Sequence, residues 1–135
     1  MTTVPATRWD VLLAIGAGGA LGSLARYGMS VALPHARGEF AVATLLTNVL
    51  GCLLIGVLMA ILTTTARPHP LLRPFLGVGV LGGFTTFSTF VTDTLDAATT
   101  GRLLGSLAYL AASVVLCLTA VTAGLTATRA ARKGR

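Results

Sequence analysis

Charged residues divide the chain into four long apolar segments. The first apolar segment continues past Arg26 to about residue 33. The four runs free of Asp, Glu, Lys and Arg cover residues 11–25, 41–66, 74–92 and 103–128. A helix needs about 20 mostly apolar residues to cross a bilayer. The pattern therefore predicts an all-α integral membrane protein, one domain over residues 1–135, with spans at about 10–33, 41–65, 73–95 and 102–128.

The composition excludes most soluble proteins. Of the 135 residues, 54% are hydrophobic and only 10% are charged, and the mean hydropathy is +0.85. Soluble domains average about 25% charged residues, and a chain this apolar has too few polar groups to cover its surface. The connections at 34–40, 66–73 and 96–102 are short. We therefore expect function to reside within the membrane, where polar groups are costly.

The charged residues indicate neither nucleic-acid binding nor catalysis. The net charge is +6, but the basic residues stand singly or in the C-terminal tail, as they do beside membrane spans. The few carboxylates and histidines supply no nucleophile, base and acid that could act together, so we predict no enzyme. Cys52 and Cys117 lie in apolar runs and are interpreted as small buried side chains.

The third segment contains signals for a break in its helix. Four glycines and four hydroxyl residues occur between positions 77 and 89. An interruption near Gly82–Thr86 would free backbone carbonyls, which in broken transporter helices hold cations near the middle of the membrane. A continuous helix with a small-residue packing face is the alternative that the composition leaves open.

Phenylalanine and asparagine within the spans are candidates for an ion path. Phe87 and Phe90 lie on one helical face, and their positive ring edges suit a small anion, while apolar packing is the alternative. Asn48, in the second span, either donates its amide to an anion or bridges two helices. No carboxylate lies deep in a predicted span, and cation or proton transport usually uses one. The residues therefore favour a small anion.

Other polar residues in the spans also have two interpretations, a place on an ion path or a structural role. Tyr109, Ser113 and Cys117 recur every four residues on the fourth span and form one stripe, which either lines a path or bonds the preceding turn. Arg26 either extends to the interface or sets a positive potential at a pore mouth.

Three motifs resemble the CrcB/Fluc family of fluoride channels. They are GGALGSLARYGMS at 18–30, TLLTNVLGCLLIG at 44–56 and GVLGGFTTFSTF at 79–90, and Tyr109 with Ser113 adds a weaker match. The resemblance implies a four-helix subunit whose third helix is broken. It also implies an antiparallel dimer with two fluoride pores and a structural sodium ion, not transported, at the dimer centre.

The resemblance further implies roles for individual residues. The backbone carbonyls of Gly82 and Thr85 match the sodium ligands, and Arg26 matches the vestibule arginine. The residues that match the fluoride pore are Asn48, Phe87, Phe90, Ser88, Thr89, Tyr109, Ser113 and Thr44.

The chain departs from the family pattern at three positions. Cys117 stands where a serine is common, which predicts a weaker polar track on the fourth span. Ala43 and Thr47 replace the more usual glycine and valine around Asn48.

A protein of this family would relieve fluoride toxicity at the inner membrane of a prokaryote. Hydrogen fluoride crosses bilayers while neutral and ionises inside, so a passive pore lets the trapped anion leave. Fluoride, lipid and a second subunit would be its partners. A small multidrug exporter is one alternative, but it needs a glutamate in the first span, and Glu39 lies in a connection. A non-transporting subunit that packs through Gly18 and Gly22 is the other.

The distribution of basic residues predicts how the chain is oriented in the membrane. Seven lie on the side that holds both termini, and two lie on the other side with Arg26 near it. Such a bias favours termini in the cytoplasm, and an oppositely biased paralogue as the antiparallel partner, with a dual-topology homodimer as the alternative. The seven are Arg8, Arg67, Arg73, Arg129, Arg132, Lys133 and Arg135, and the two are Arg37 and Arg102.

Overall fold

The computed structural model describes residues 8–133, and these residues form only helices and connections. The third span contains two helices, and the described residues hold four helical stretches long and apolar enough to cross a membrane. This confirms the prediction of an all-α protein with four spans. Arg135, one of the charges used to predict orientation, lies outside the described residues. The helices are α1 (Trp9–Ala32), α2 (Val42–Thr64), α3 (Arg73–Leu81, continued by Gly82–Phe84), α4 (Ser88–Thr99) and α5 (Leu103–Lys133).

Two glycines with positive φ turn the chain between helices. Gly38 has φ +79° in the connection from α1 to α2, and Gly101 has φ +80° between α4 and α5. Residues with a Cβ rarely adopt this conformation.

The C-terminal end of α5 lies at Lys133, past the predicted bound at 128. The helix continues because alanine, arginine and lysine in this tail are strong helix formers.

Glycines bring α1 and α3 into backbone contact. A Cβ at Gly18 would overlap the carbonyl oxygen of Phe75, and a Cβ at Gly22 would overlap that of Val80. Both glycines are buried. Small residues permit such close approach between helices in a membrane. The glycine face of α1 is therefore a packing surface within the chain.

The helices α2 and α5 pack side by side in parallel. Near their first turns, the rings of Phe40 and Tyr109 meet edge to face with centroids 5.1 Å apart. At the other end, Arg132 donates a hydrogen bond to the hydroxyl of Thr65 at 3.3 Å. Ala60 is fully buried between these ends. The pair forms the principal packed core of the chain.

The third membrane-crossing stretch changes geometry along its length. Residues Arg73–Leu81 are bonded in wide π-helical turns, and Gly82–Phe84 in α-helical ones. Thr85 then takes an extended conformation with ψ 159°, and helical bonding resumes at Ser88. Glycine and threonine are poor helix formers. The stretch therefore contains irregular backbone between two helical parts, and the polar groups of that backbone need partners.

Large apolar side chains cover much of the outer surface. Leu104 is 84% exposed and Trp9 is 72% exposed. Exposed apolar side chains in such numbers suit contact with lipid rather than with water.

Candidate functional site

Asn48 fastens α2 to the irregular backbone between α3 and α4. Its Nδ2 donates to the carbonyl oxygen of Thr86, and its Oδ1 accepts from the amide of Thr86, both at 2.8 Å. These two bonds satisfy main-chain groups that the helix interruption releases. An asparagine NH₂ carries two N–H groups. Asn48 therefore bridges two elements and still has one N–H to offer.

The hydroxyl of Thr86 stabilises the beginning of α4. Its Oγ1 accepts from the amide of Thr89 at 3.2 Å and donates to Thr89 Oγ1 at 3.0 Å. Such side-chain caps satisfy the free amides at a helix N-terminus. The positive end of the helix dipole of α4 consequently lies beside Asn48, within the membrane-crossing stretch.

Two amides near the interruption donate to side chains, and this leaves the carbonyls of Gly82 and Thr85 without their helical donors. In an α-helix each carbonyl accepts from the amide four residues later. For Gly82 that amide belongs to Thr86, which donates to Asn48 instead. For Thr85 it belongs to Thr89, which donates to the Thr86 hydroxyl. Both carbonyls thus lack their usual helical donors and can serve as ligands of a cation.

Three aromatic rings form a row beside the interruption. The ring centroid of Phe90 lies 6.0 Å from that of Phe87 and 5.6 Å from that of Tyr109. Phe87 is 77% exposed, whereas Tyr109 is 3% exposed. The row therefore leads from the outer surface of the chain into its interior, and each of its rings has a negative face and a positive edge.

Two buried hydroxyl groups on α5 have no hydrogen-bond partner within residues 8–133. They are Tyr109 Oη and Ser113 Oγ, one helical turn apart. A buried polar group without a partner costs about 1–3 kcal/mol. Such groups within a membrane span need a polar partner that residues 8–133 do not supply.

Two cavities meet at Thr86, which lines both. The Arg26 cavity has a volume of about 280 Å³, and the Phe90 cavity has a volume of about 460 Å³. The Arg26 cavity is lined by Ser23, Arg26, Tyr27, Ser30, His35, Ala43, Thr44, Thr47, Thr86 and Thr89. The Phe90 cavity is lined by Asn48, Gly51, Cys52, Ile55, Gly77, Leu81, Gly82, Thr85, Thr86, Phe87, Phe90, Ser113, Val114 and Cys117.

The cavities gather most of the residues that the sequence singles out. Two of the residues predicted to line the pore line neither cavity. Ser88 is exposed, and its hydroxyl lies 3.4 Å from that of Thr86. Tyr109 lies behind the ring of Phe90. These two residues therefore contact lining residues without lining either cavity.

Asp93 belongs to this site, although the sequence pattern does not single it out. Its side chain is only 12% exposed. Thr44 donates to Asp93 Oδ2 at 2.7 Å, and His35 Nε2 lies 3.4 Å from Asp93 Oδ1. In the sequence, Asp93 is the first charge after an apolar run and suggests the end of a span. Its spacing of three from Phe90, which puts both on one face of α4, is the signal that could have found it.

The fold and the site define a class of protein. Four stretches long and apolar enough to cross a membrane contain buried donors without partners in residues 8–133 and two neighbouring cavities, which is typical of an integral membrane protein. The chain belongs to the CrcB family, because residues 13–125 match the family described as "CrcB-like protein, Camphor Resistance (CrcB)".

Several curated bacterial proteins are similar to this chain over most of its length. A Thermobifida fusca protein named fluoride-specific ion channel FluC 2 is 54% identical over 120 residues, or 89% of each chain. A Nocardia farcinica protein of the same name is 46% identical over 93% of this chain and 90% of its own. The fluoride-specific ion channel FluC of Paracoccus denitrificans is 46% identical over 87% of this chain and 93% of its own.

Proposed function

We propose that this chain forms a passive, fluoride-selective channel. The observation that carries the proposal is the set of unpaired donors beside the phenyl rings. Buried hydroxyls of Tyr109 and Ser113 have no partner in the part of the chain that is described, and Asn48 keeps one N–H. Asn48 and Ser113 line the Phe90 cavity and can donate to a small anion there, and Tyr109 lies one helical turn from Ser113 behind the ring of Phe90. The names of the relatives at 46–54% identity support fluoride as that anion.

The two cavities suggest how an anion moves. Arg26 provides positive charge in the smaller, polar cavity, which Thr44 and Thr89 also line. Beyond Thr86, the ring edges of Phe87 and Phe90 replace part of the hydration shell without adding a fixed charge that would trap the ion. Movement is therefore downhill and needs no energy source. In a bacterial inner membrane, such a channel releases fluoride that entered as the neutral acid.

Fluoride and chloride efflux from liposomes tests the proposal. Purified protein is reconstituted, the vesicles are loaded with one anion, and the external concentration is followed with an ion-selective electrode. We expect rapid fluoride release and chloride release no faster than from empty vesicles. Equal fluoride release from empty and protein-containing vesicles would contradict the channel, and would favour a subunit that only packs helices.

We propose further that two subunits pair antiparallel and share a structural sodium ion. Gly82 and Thr85 fit this role because their carbonyls lack helical donors and both line the open Phe90 cavity. Two carbonyls from each subunit would give four neutral oxygen ligands, which suit a monovalent cation better than a strongly hydrated divalent one. The ion would supply positive charge that holds the two interruptions together.

Sodium removal tests this second proposal without measuring flux. The thermal unfolding temperature and the dimer fraction are compared in sodium and in a large organic cation such as N-methylglucamine. We expect both to fall when sodium is absent and to recover when it returns. An identical unfolding temperature and dimer fraction in the two buffers would contradict the sodium site.

The partner in this dimer is proposed to be an oppositely oriented paralogue, with an identical chain as the alternative. The contacts at the helix ends support the side assignment, since Arg132 reaches Thr65 on one side and Arg37 pairs with Asp96 at 2.9 Å on the other. The ion pair reduces the net positive charge of the less basic side, which strengthens the bias. Reporter fusions at the C-terminus test it. Predominantly cytoplasmic signal is expected, and equal signals on both sides with fluoride flux from this chain alone would contradict the paralogue.

A further inference from the structure

Two thiols lie in the Phe90 cavity, and the proposed ion path does not use them. Cys52 belongs to α2 and Cys117 to α5, and both line the cavity. Each is a free, half-buried cysteine. They share the cavity wall with Asn48 and Ser113, one turn away on α2 and α5 respectively. A ligand held by both thiols would therefore occupy the space beside the proposed fluoride path.

The packing of α2 against α5 holds the two thiols together. One turn beyond Cys52, a Cβ at Gly56 would overlap the carbonyl oxygen of Val121, which is one turn beyond Cys117. A Cβ at Gly124 would overlap the carbonyl oxygen of Leu53 in the same way. Backbone contact at these points fixes the distance between the helices. Cys52 and Cys117 consequently line the same cavity from two helices that are in backbone contact.

The surroundings of the pair select the kind of ligand. The described residues contain no cluster of three or more His, Cys, Asp or Glu side chains that could complete a tetrahedral zinc site. Thiolate ligands prefer soft metal ions. We propose that Cys52 and Cys117 form a two-coordinate binding site for a soft monovalent cation such as Cu(I) or Ag(I).

Binding is a substitution without electron transfer. Two S–H bonds break, two sulfur–metal bonds form and two protons pass to water, so the metal keeps its oxidation state. Two thiolates and one monovalent cation leave a net charge of −1 at the centre. That charge would stand in the Phe90 cavity near the donors of Asn48 and Ser113. If the proposed fluoride function holds, the centre both narrows the path and repels the anion.

Silver binding to the full-length, detergent-solubilised protein tests the site directly. Reduced protein is titrated with silver nitrate in chloride-free buffer that contains histidine as a competing ligand, and bound silver is measured after desalting. The wild type is expected to retain one silver ion per chain. Cys52→Ser and Cys117→Ser are each expected to bind at least about 100-fold more weakly, because one ligand is lost. Met59→Leu removes another soft sulfur from α2 and is expected to bind as the wild type does.

Thiol protection provides a measurement that does not depend on the variants folding. Wild-type protein is treated with one equivalent of silver, reacted with a maleimide, and then stripped of metal and denatured for counting of free thiols. Both cysteines are expected to be protected together at one silver ion per chain. Protection of only one thiol, or serine variants that hold silver as tightly as the wild type, would overturn the site.

Fluoride efflux separates this inference from the proposed function on which its consequence rests. With one equivalent of silver, wild-type efflux is expected to fall at least about tenfold below its own metal-free rate. Each serine variant is expected to keep more than about half of its own metal-free rate. Absence of fluoride efflux before silver is added would contradict the channel while leaving the binding result intact. Silver binding with unchanged efflux would contradict the inference that the bound ion obstructs the path.

Discussion

The two cavities that meet at Thr86 differ in the chemistry that they offer an anion. Nine of the ten residues that line the Arg26 cavity are polar, and one is an arginine. The Phe90 cavity is larger and mostly apolar, and its polar atoms come from a few side chains and the released carbonyls. The first can collect a hydrated anion by charge. The second can hold a partly dehydrated one only through hydrogen-bond donors and ring edges.

In the proposed channel, charge and geometry act in different cavities. In the proposed channel, positive charge is supplied by Arg26 in the polar cavity. In the Phe90 cavity, correctly oriented neutral groups would hold the anion instead of a charge. Their orientation depends on the contact between Asn48 and Thr86. Changes at this contact should therefore have larger effects than changes on either side of it.

The largest effect is expected from Asn48→Asp. The carboxylate has no N–H, so it loses the bond to the Thr86 carbonyl and repels both that oxygen and a passing anion. Fluoride efflux from liposomes should fall by at least about 100-fold, because a buried hydrogen bond is lost and a like charge is gained. Leu46→Met, an exposed change on the same helix, serves as the control and should conduct normally. Efflux from the folded Asp variant at the wild-type rate would show that Asn48 is not in the path.

A smaller but clear loss is expected when the rings lose their aromatic character. Phe87→Ile and Phe90→Ile keep much of the apolar volume and remove the positive ring edge. At least one variant should lose about tenfold in fluoride efflux, which corresponds to about 1.4 kcal/mol of lost stabilisation. Phe75→Ile, the same change at a residue that lines neither cavity, is the matched control. Normal efflux by both test variants would mean that the rings are packing residues.

The sequence predicts the helices well because long apolar runs have few alternatives to membrane spans. The observed bounds differ from the predicted ones mainly where the last two spans end, at Thr99 rather than 95 and at Lys133 rather than 128. The residue types of the site could also be predicted, since Asn48 is a polar residue within a span and, with the two phenylalanines, matches a specific motif. Their partners could not. Asn48 and Thr86 are 38 positions apart, and no local pattern specifies their pairing.

The depth of Asp93 shows a second limit of sequence reasoning. A charge after an apolar run suggests a span end, yet this carboxylate is mostly buried because Thr44 and His35 reach it from other parts of the chain. Its burial depends on contacts across 49 and 58 positions. Hydropathy cannot register such compensation, because it scores each residue without its partners.

The smallest expected effect tests whether Thr86 joins the cavities through its side chain as well as its backbone. Thr86→Val keeps the shape and both backbone bonds to Asn48 but removes the hydroxyl that caps α4. Loss of a cap costs about 1 kcal/mol, so the unfolding temperature should fall by a few degrees and efflux by about two- to fivefold. Thr92→Val removes a hydroxyl from the same helix that bonds only the Ser88 carbonyl and caps nothing. Because both variants lose one hydroxyl, equal unfolding temperatures would mean that the cap contributes nothing, and a larger loss at Thr86 would show that this one side chain orders the entrance to the Phe90 cavity.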